Sequence, residues 1–318
     1  MTSKRSSTTV RARHHAHLTA PRPGDVLKSV SAGPSGEAVA LWVAAGDLPE
    51  GAGPASRVKP SVPAHVTVHQ PDQVLTVRLA GLKVDFPSVQ PLPGGRFLVV
   101  GARCRWRKND PERNAFVYDA TGAVEAAHTF GDGIEHVQAT RDGEVWVAYF
   151  DEGVYGNFGW GEADSPAPVG SCGLIRFSAD LTRQWRYPSH WEDEWGAISD
   201  CYALNVGDSA AWACYYTDFP VVRIDDAVSG WHNEVRGAKA LAVAGDRIAL
   251  YGGYGPDRHR LVVGVLANGR VEVTGKFRLV LPDGRSLPRT AEVVGRGSDL
   301  HVFAGDEWSR LGVEDIGR

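Results

Sequence analysis

The chain has 318 residues, 43% of them hydrophobic and 23% charged, with a formal net charge of −4. That length buries a sizeable core without disulfide staples, and that charge lacks the basic footprint of a nucleic-acid binder. Thirty-seven Gly and 19 Pro beside four Cys describe a turn-rich chain with no disulfide framework, and Cys104, Cys172, Cys201 and Cys214 show no zinc-finger spacing, so four reduced thiols are expected.

Residues 1–24 are basic, with Lys4, Arg5, Arg11, Arg13 and Arg22 and no carboxylate. No apolar run follows that could serve as a signal segment, and no stretch approaches the roughly 20 residues of a membrane span, so a cytoplasmic protein without a membrane partner is expected. Val10, Ala12, His14, Ala16 and Leu18 alternate with Arg11, Arg13, His15 and His17, the pattern of one half-buried edge strand. On such a strand His15 and His17 face one way and His14 the other, a poor arrangement for a shared metal ion.

From residue 30 onward one unit recurs six times: an apolar strand, a tight turn of Gly, Asp or Ser, and a second apolar strand. The hairpins cover 30–43, 89–100, 134–149, 202–215, 241–251 and 292–303, with equivalent core positions at Leu41, Phe97, Trp146, Trp212, Ile248 and Leu300. Asp142-Gly143 is the clearest turn, since the glycine accepts the positive φ a short hairpin demands. A second alternating pair follows most of them, at 66–79, 116–130, 174–187, 221–235 and 261–273. Repeats of about 50 residues with four strands each predict an all-β chain, a single six-bladed β-propeller spanning residues 1–318. The last unit lacks a fourth strand after Trp308–Leu311, and the N-terminal segment is expected to supply it and close the ring. The alternative for that segment is a disordered leader.

In this architecture the loops joining second to third and fourth to first strands gather on one face. Here they are the unusual ones: 101–114, 151–172, 216–220, 252–260 and 188–200. They bring Arg103, Arg105, Trp106, Glu152, Tyr155, Asn157, Trp160, Trp191, Trp195, Tyr216, Asp218, Tyr254 and Arg258 forward as ligand-binding candidates. Aromatic faces with charged groups suit a polar or cationic small molecule, or a peptide segment, bound by a monomer. The bland alternative is that the tryptophans pack the loops down and the acidic run at 192–194 is merely solvated.

Residues at the start of the first strands point at the axis, among them Asp85, Glu135, His136, Asp200, Lys239 and Glu292. Glu135, His136, Asp151, Asp200 and His190 are therefore candidate acid/base groups for a hydrolase or lyase. The axial carboxylates are candidate oxygen ligands for Ca²⁺ or Mg²⁺, against a water-filled channel with no cofactor. A third possibility is an interaction scaffold using the rim.

Thr140-Arg141-Asp142-Gly143-Glu144-Val145-Trp146-Val147, followed by Gly173-Leu174-Ile175-Arg176-Phe177, resembles the blade signature of two-component-regulator, NHL-type and streptogramin-lyase propellers. The pattern is also similar to a group of bacterial propeller proteins with FDEGVYGNFGW-like and DCYALN-like segments. The resemblance implies the propeller fold and leaves activity open. Lactonase-type propellers imply an axial ion held by residues of the type of Glu135, Asn157, Asp200 and Asn205, without a matching local motif.

Overall fold

The repeat is built from its turns. At Asp142-Gly143, Thr140 N donates to Glu144 O (2.8 Å) and Gly143 N to Thr140 O (3.1 Å). Gly143 has φ 92°, a backbone conformation that calls for glycine, and a Cβ there would sit tightly at 3.0 Å from Pro93 of the neighbouring blade.

The computed structural model describes residues 8–47, 61–70, 73–108, 110–188, 190 and 193–317. Two short strands open it, β1 (Thr9–Arg11) and β2 (Arg13–His17). Blade one is β3 (Asp25–Ala32), β4 (Ala38–Ala44), β5 (Val62–Gln70) and β6 (Gln73–Leu82); blade two is β7 (Pro87–Leu92), β8 (Arg96–Gly101), β9 (Ala115–Tyr118) and β10 (Val124–His128). Blade three is β11 (Ile134–Ala139), β12 (Val145–Tyr149), β13 (Leu174–Phe177) and β14 (Arg183–Arg186). Blade four is β15 (Asp200–Val206), β16 (Ala211–Tyr216), β17 (Val221–Ile224) and β18 (Val228–Trp231). Blade five is β19 (Ala240–Ala244), β20 (Arg247–Tyr251), β21 (Arg260–Ala267) and β22 (Arg270–Val280). Blade six is β23 (Glu292–Arg296), β24 (Asp299–Ala304) and β25 (Glu307–Gly312), completed by β2 as its outer strand. The fold is a six-bladed β-propeller closed by its N-terminal strand. The loop after β12 is not wholly irregular: it begins with a single helical turn, α1 (Asp151–Tyr155).

The chain divides into two compact units, one of Leu18–Cys201 with Tyr215–Thr217, the other of residues up to His17, Tyr202–Cys214 and Asp218 onward. In the first, Leu41, Val66, Phe97 and Val99 fill the space between blades one and two, and Leu98, Val117, Val137, Val147 and Ile175 that between blades two and three. In the second, Ala203, Leu241, Ile248 and Val262 join blades four and five, and Ala242, Val263, Leu300 and Val302 join five and six. Strand alternation explains this, since inward residues recur every second position on each pleated surface. Leu41, Phe97, Trp146, Ile248 and Leu300 are buried as expected. Trp212 is only half-buried and stacks on Trp231, ring centroids 5.6 Å apart, at the edge of its cluster.

The N-terminal segment is not one edge strand. It breaks at buried Ala12, whose N–H donates to Val280 O (3.0 Å), so β1 pairs in parallel with β22 of blade five and β2 antiparallel with β25 of blade six. The small side chain of Ala12 lets the chain cross between the two blades. A register shift between His14 and Ala16 then breaks the expected alternation. His15 sets its edge against Trp308 (4.3 Å), while the His14 and His17 rings, expected on opposite faces, lie 4.8 Å apart.

Candidate binding platform on the loops of blades two and three

The loop after β8 and the loop after β12 are braced into one structure. Trp106 N donates to Phe158 O (2.9 Å), and the indole N–H of buried Trp160 donates to Cys104 O (2.8 Å). The Trp106 and Trp160 rings pack at 5.2 Å. Asn157 Oδ1 accepts from Phe158 N (2.7 Å), which helps hold the turn between Gly156 and Gly159.

Arg103 lies at the centre of this bracing. Its guanidinium donates to Asp132 Oδ2 (2.9 Å) and to Glu152 Oε2, and it lies over the rings of Phe158 (4.5 Å) and Phe150 (5.5 Å). Asp132 also accepts Cys104 N–H (2.7 Å). Burial pushes the Asp132 carboxyl up, and the Cys104 amide and Arg103 only partly oppose it. Burial acts in the same sense on Glu152, but hydrogen bonds from Arg103 and Asn157 and the charge of Arg103 outweigh it, so its carboxyl lies below the usual range. Of the acidic residues that the sequence offers to a cationic ligand, Glu152 thus already holds a cation of the protein's own, together with Asp132, Phe158 and Phe150.

Next along the loop, the Arg105 guanidinium is exposed and lies over Phe158 at 4.6 Å. Arg107 is paired with Glu112 at 3.0 Å, and the other oxygen of this buried carboxylate accepts Arg105 N–H at 2.9 Å. Phe158 itself has φ 47°, a left-handed conformation that costs an L-residue about 1–2 kcal/mol. It is embedded among Gly156, Gly159 and Gly161, all with positive φ. Phe86 and Phe219 share this conformation; at Phe158 it holds the ring beneath the guanidiniums of Arg103 and Arg105.

The other sequence candidates fall elsewhere. Asp151 is exposed and accepts Glu152 N–H (2.8 Å) in the first turn of α1; Tyr155, 61% exposed, reaches Ser199 Oγ with its hydroxyl (2.7 Å). Glu135 and His136 are half-buried at the start of β11, where a register shift falls between Ile134 and His136, and Asp200 is half-buried as the first residue of β15. His190 is exposed, and its backbone N–H donates to Asp193 Oδ2 (3.2 Å). Trp195 is half-buried and its carbonyl accepts the Tyr215 hydroxyl (2.7 Å); Tyr216 is exposed. Trp191 and Glu192 lie outside the described residues.

In the second unit Asp218 and Arg258 are exposed, and Tyr254 donates through its hydroxyl to Tyr202 Oη (2.9 Å), whose ring lies beneath Lys239 Nζ at 4.3 Å. Asn205, of a type suited to an axial ion, is committed to the backbone: its amide donates to Leu241 O (2.9 Å) and Gly297 O (2.8 Å) and accepts Gly297 N–H (2.7 Å). Among the described residues no group of three or more His, Cys, Asp or Glu is arranged to hold a metal ion. Glu292, at the start of β23, is solvent-exposed, and the protein packed around it pushes its carboxyl up.

The sequence reading missed Asp132, Phe158, Phe150 and Glu112. The one available signal was an aromatic residue set between glycines, Gly156-Asn157-Phe158-Gly159.

No family model matches the chain, and no curated protein matches it. Solved structures do. A catalytically inactive virginiamycin B lyase from Staphylococcus aureus, solved with quinupristin, is 11% identical over 93% of this chain and 98% of its own, with a TM-score of 0.48. The Pan2 WD40 domain of Neurospora crassa is also 11% identical, over 97% of this chain and 98% of its own, at 0.46. The extracellular domain of a one-component system from B. thetaiotaomicron is 10% identical over 97% of this chain and 43% of its own, at 0.44. The chain is thus similar to lyase, sensor and WD40 propellers, and what it shares with them is the fold.

Proposed function

We propose that the protein is a binding module whose loops after β8 and β12 form a recognition surface for a small polar ligand or a peptide segment. The observation that carries this reading is the bracing of two long loops around Arg103, with a strained Phe158 and outward-facing Arg105. Long connections within a compact fold are usually functional, and ordering them before binding removes an entropic cost from the binding step. The test is an amide NMR screen of the intact protein against a library of small polar fragments. Perturbations concentrated in 101–114 and 151–172 are expected; shifts confined to the Asx-Gly turns at the other strand ends, or none, would reject the reading.

A second reading, an acid/base hydrolase or lyase, would take its acid from Glu292, a solvent-exposed carboxyl at the head of β23 that the surrounding protein raises. Turnover of a substrate that Glu292→Gln abolishes, with the fold retained, would establish it.

A further inference from the structure

We infer that the ligand of this platform presents a carboxylate and that the guanidinium of Arg105 receives it, an inference that rests on the binding reading above. Arg103-Cys104-Arg105-Trp106-Arg107 sets three guanidiniums on alternate residues. Asp132 and Glu152 neutralise the first, and Glu112 the third, with Glu112 Oε2 also taken by the Arg105 backbone N–H (2.9 Å). Among the described residues no carboxylate lies within ion-pairing distance of the Arg105 side chain. That group is exposed, yet it is laid over Phe158 at 4.6 Å.

A guanidinium that rests over a ring face, with no carboxylate on it, keeps N–H groups open, and its planar fork matches the two oxygens of a carboxylate. Stacking also fixes the fork before the ligand arrives. The acids of the bracing itself, Asp132, Glu152 and Glu112, all have cationic partners, so a cationic ligand bound there would have to displace an arginine. The alternate arginines on either side, Arg103 and Arg107, are already neutralised, so the Arg105 fork by itself fits a planar, monoanionic acceptor; a phosphate dianion would need to recruit exposed Lys108 or Arg113 of the same loop as its second cation.

The experiment titrates the intact protein with benzoate, benzamide and phenyl phosphate, following the Arg105 side-chain Nε–H and the Trp106 amide by NMR. Variants are Arg105→Gln, Arg105→Lys, Phe158→Asn, in which asparagine tolerates the positive φ, and Arg113→Gln as an exposed-arginine control on the same loop. Benzoate is expected to bind at millimolar strength, with benzamide and phenyl phosphate weaker. The affinity should fall about tenfold or more in Arg105→Gln, less in Arg105→Lys and Phe158→Asn, and stay at the parent value in Arg113→Gln. Equal binding of benzoate and benzamide, a preference for phenyl phosphate, or an unchanged Arg105→Gln variant would overturn the carboxylate assignment. If fragments without a carboxylate still bind the two loops, the platform stands and only its ligand class is wrong. If nothing binds there, both fall.

Discussion

Arg103 is the side chain on which the two loops converge, and its removal separates charge from packing. The Asp132 side chain is 1% exposed, so Arg103→Gln strands a buried carboxyl. A loss of about 3 kcal/mol in urea unfolding is expected. Asp132→Asn should cost less, because its amide oxygen can still accept the Cys104 N–H. Equal losses in the two variants would mean that shape, rather than charge, holds the loops.

Half of this cluster was legible in the chain. Arg103, Arg105, Glu152 and Asn157 stand out as polar residues in long loops beside aromatics. Asp132 did not, because a carboxylate just ahead of an inner strand carries no periodic signal of the loop it will meet. Phe158 reads as one aromatic among several until its backbone conformation is known.

At the scale of strands and blades, packing sets the energies. Trp146 is 5% exposed and lies between Trp185 (5.5 Å) and the Arg176 guanidinium (5.6 Å). Trp146→Ala should cost about 3–5 kcal/mol by denaturant unfolding. The same change at half-buried Trp212 should cost less, and the reverse order would contradict the register of blades three and four. Asn205 joins backbone groups of blades five and six; Asn205→Ala removes three hydrogen bonds, although Gly297 O keeps the Val243 N–H, for a loss of about 2 kcal/mol.

Blade six has a built-in acid sensitivity. His301 Nδ1 accepts the Trp308 indole N–H (3.2 Å), which requires the neutral ring. Burial, then Arg310, His15 and Arg296, lower its pKa to about 3. A base whose folded pKa lies below its unfolded value gives stability that is complete above pH 6.5 or so and is lost as pH falls toward 3. Stability should therefore decline below pH 6.5 by up to about 1.4 kcal/mol per pH unit from this group. Urea midpoints measured from pH 7 to 4 check this, and His301→Phe should flatten the dependence. The hairpin positions of all six blades were readable because alternation and Asx-Gly turns are local. The split of the N-terminal segment was not, since the break at Ala12 depends on Val280, far along the chain.

For the molecule as a whole, the N-terminal segment determines how blades five and six are finished. Removing residues 1–18 deletes the outer strand of blade six and the parallel strand on blade five. Residues buried there, Ala12 and Leu18, are lost with it. The truncated protein should unfold at lower denaturant, with a smaller m-value if blade six is already open before the main transition. An unchanged midpoint would show that closure adds nothing to stability. The fold class was visible from periodicity alone, because six near-equal repeats admit few architectures.

The pairing of Thr9–Arg11 with Arg278–Val280 and of Arg13–His17 with Glu307–Arg310 also has a temporal side. The segment leaves the ribosome long before the strands that pair with it, Arg278–Val280 and Glu307–Arg310. It must wait unpaired while blades one to four are made, and its docking closes a loop that spans them. A basic, histidine-rich sequence with few large apolar residues suits that wait, since it offers nascent neighbours little to seize before its own place exists.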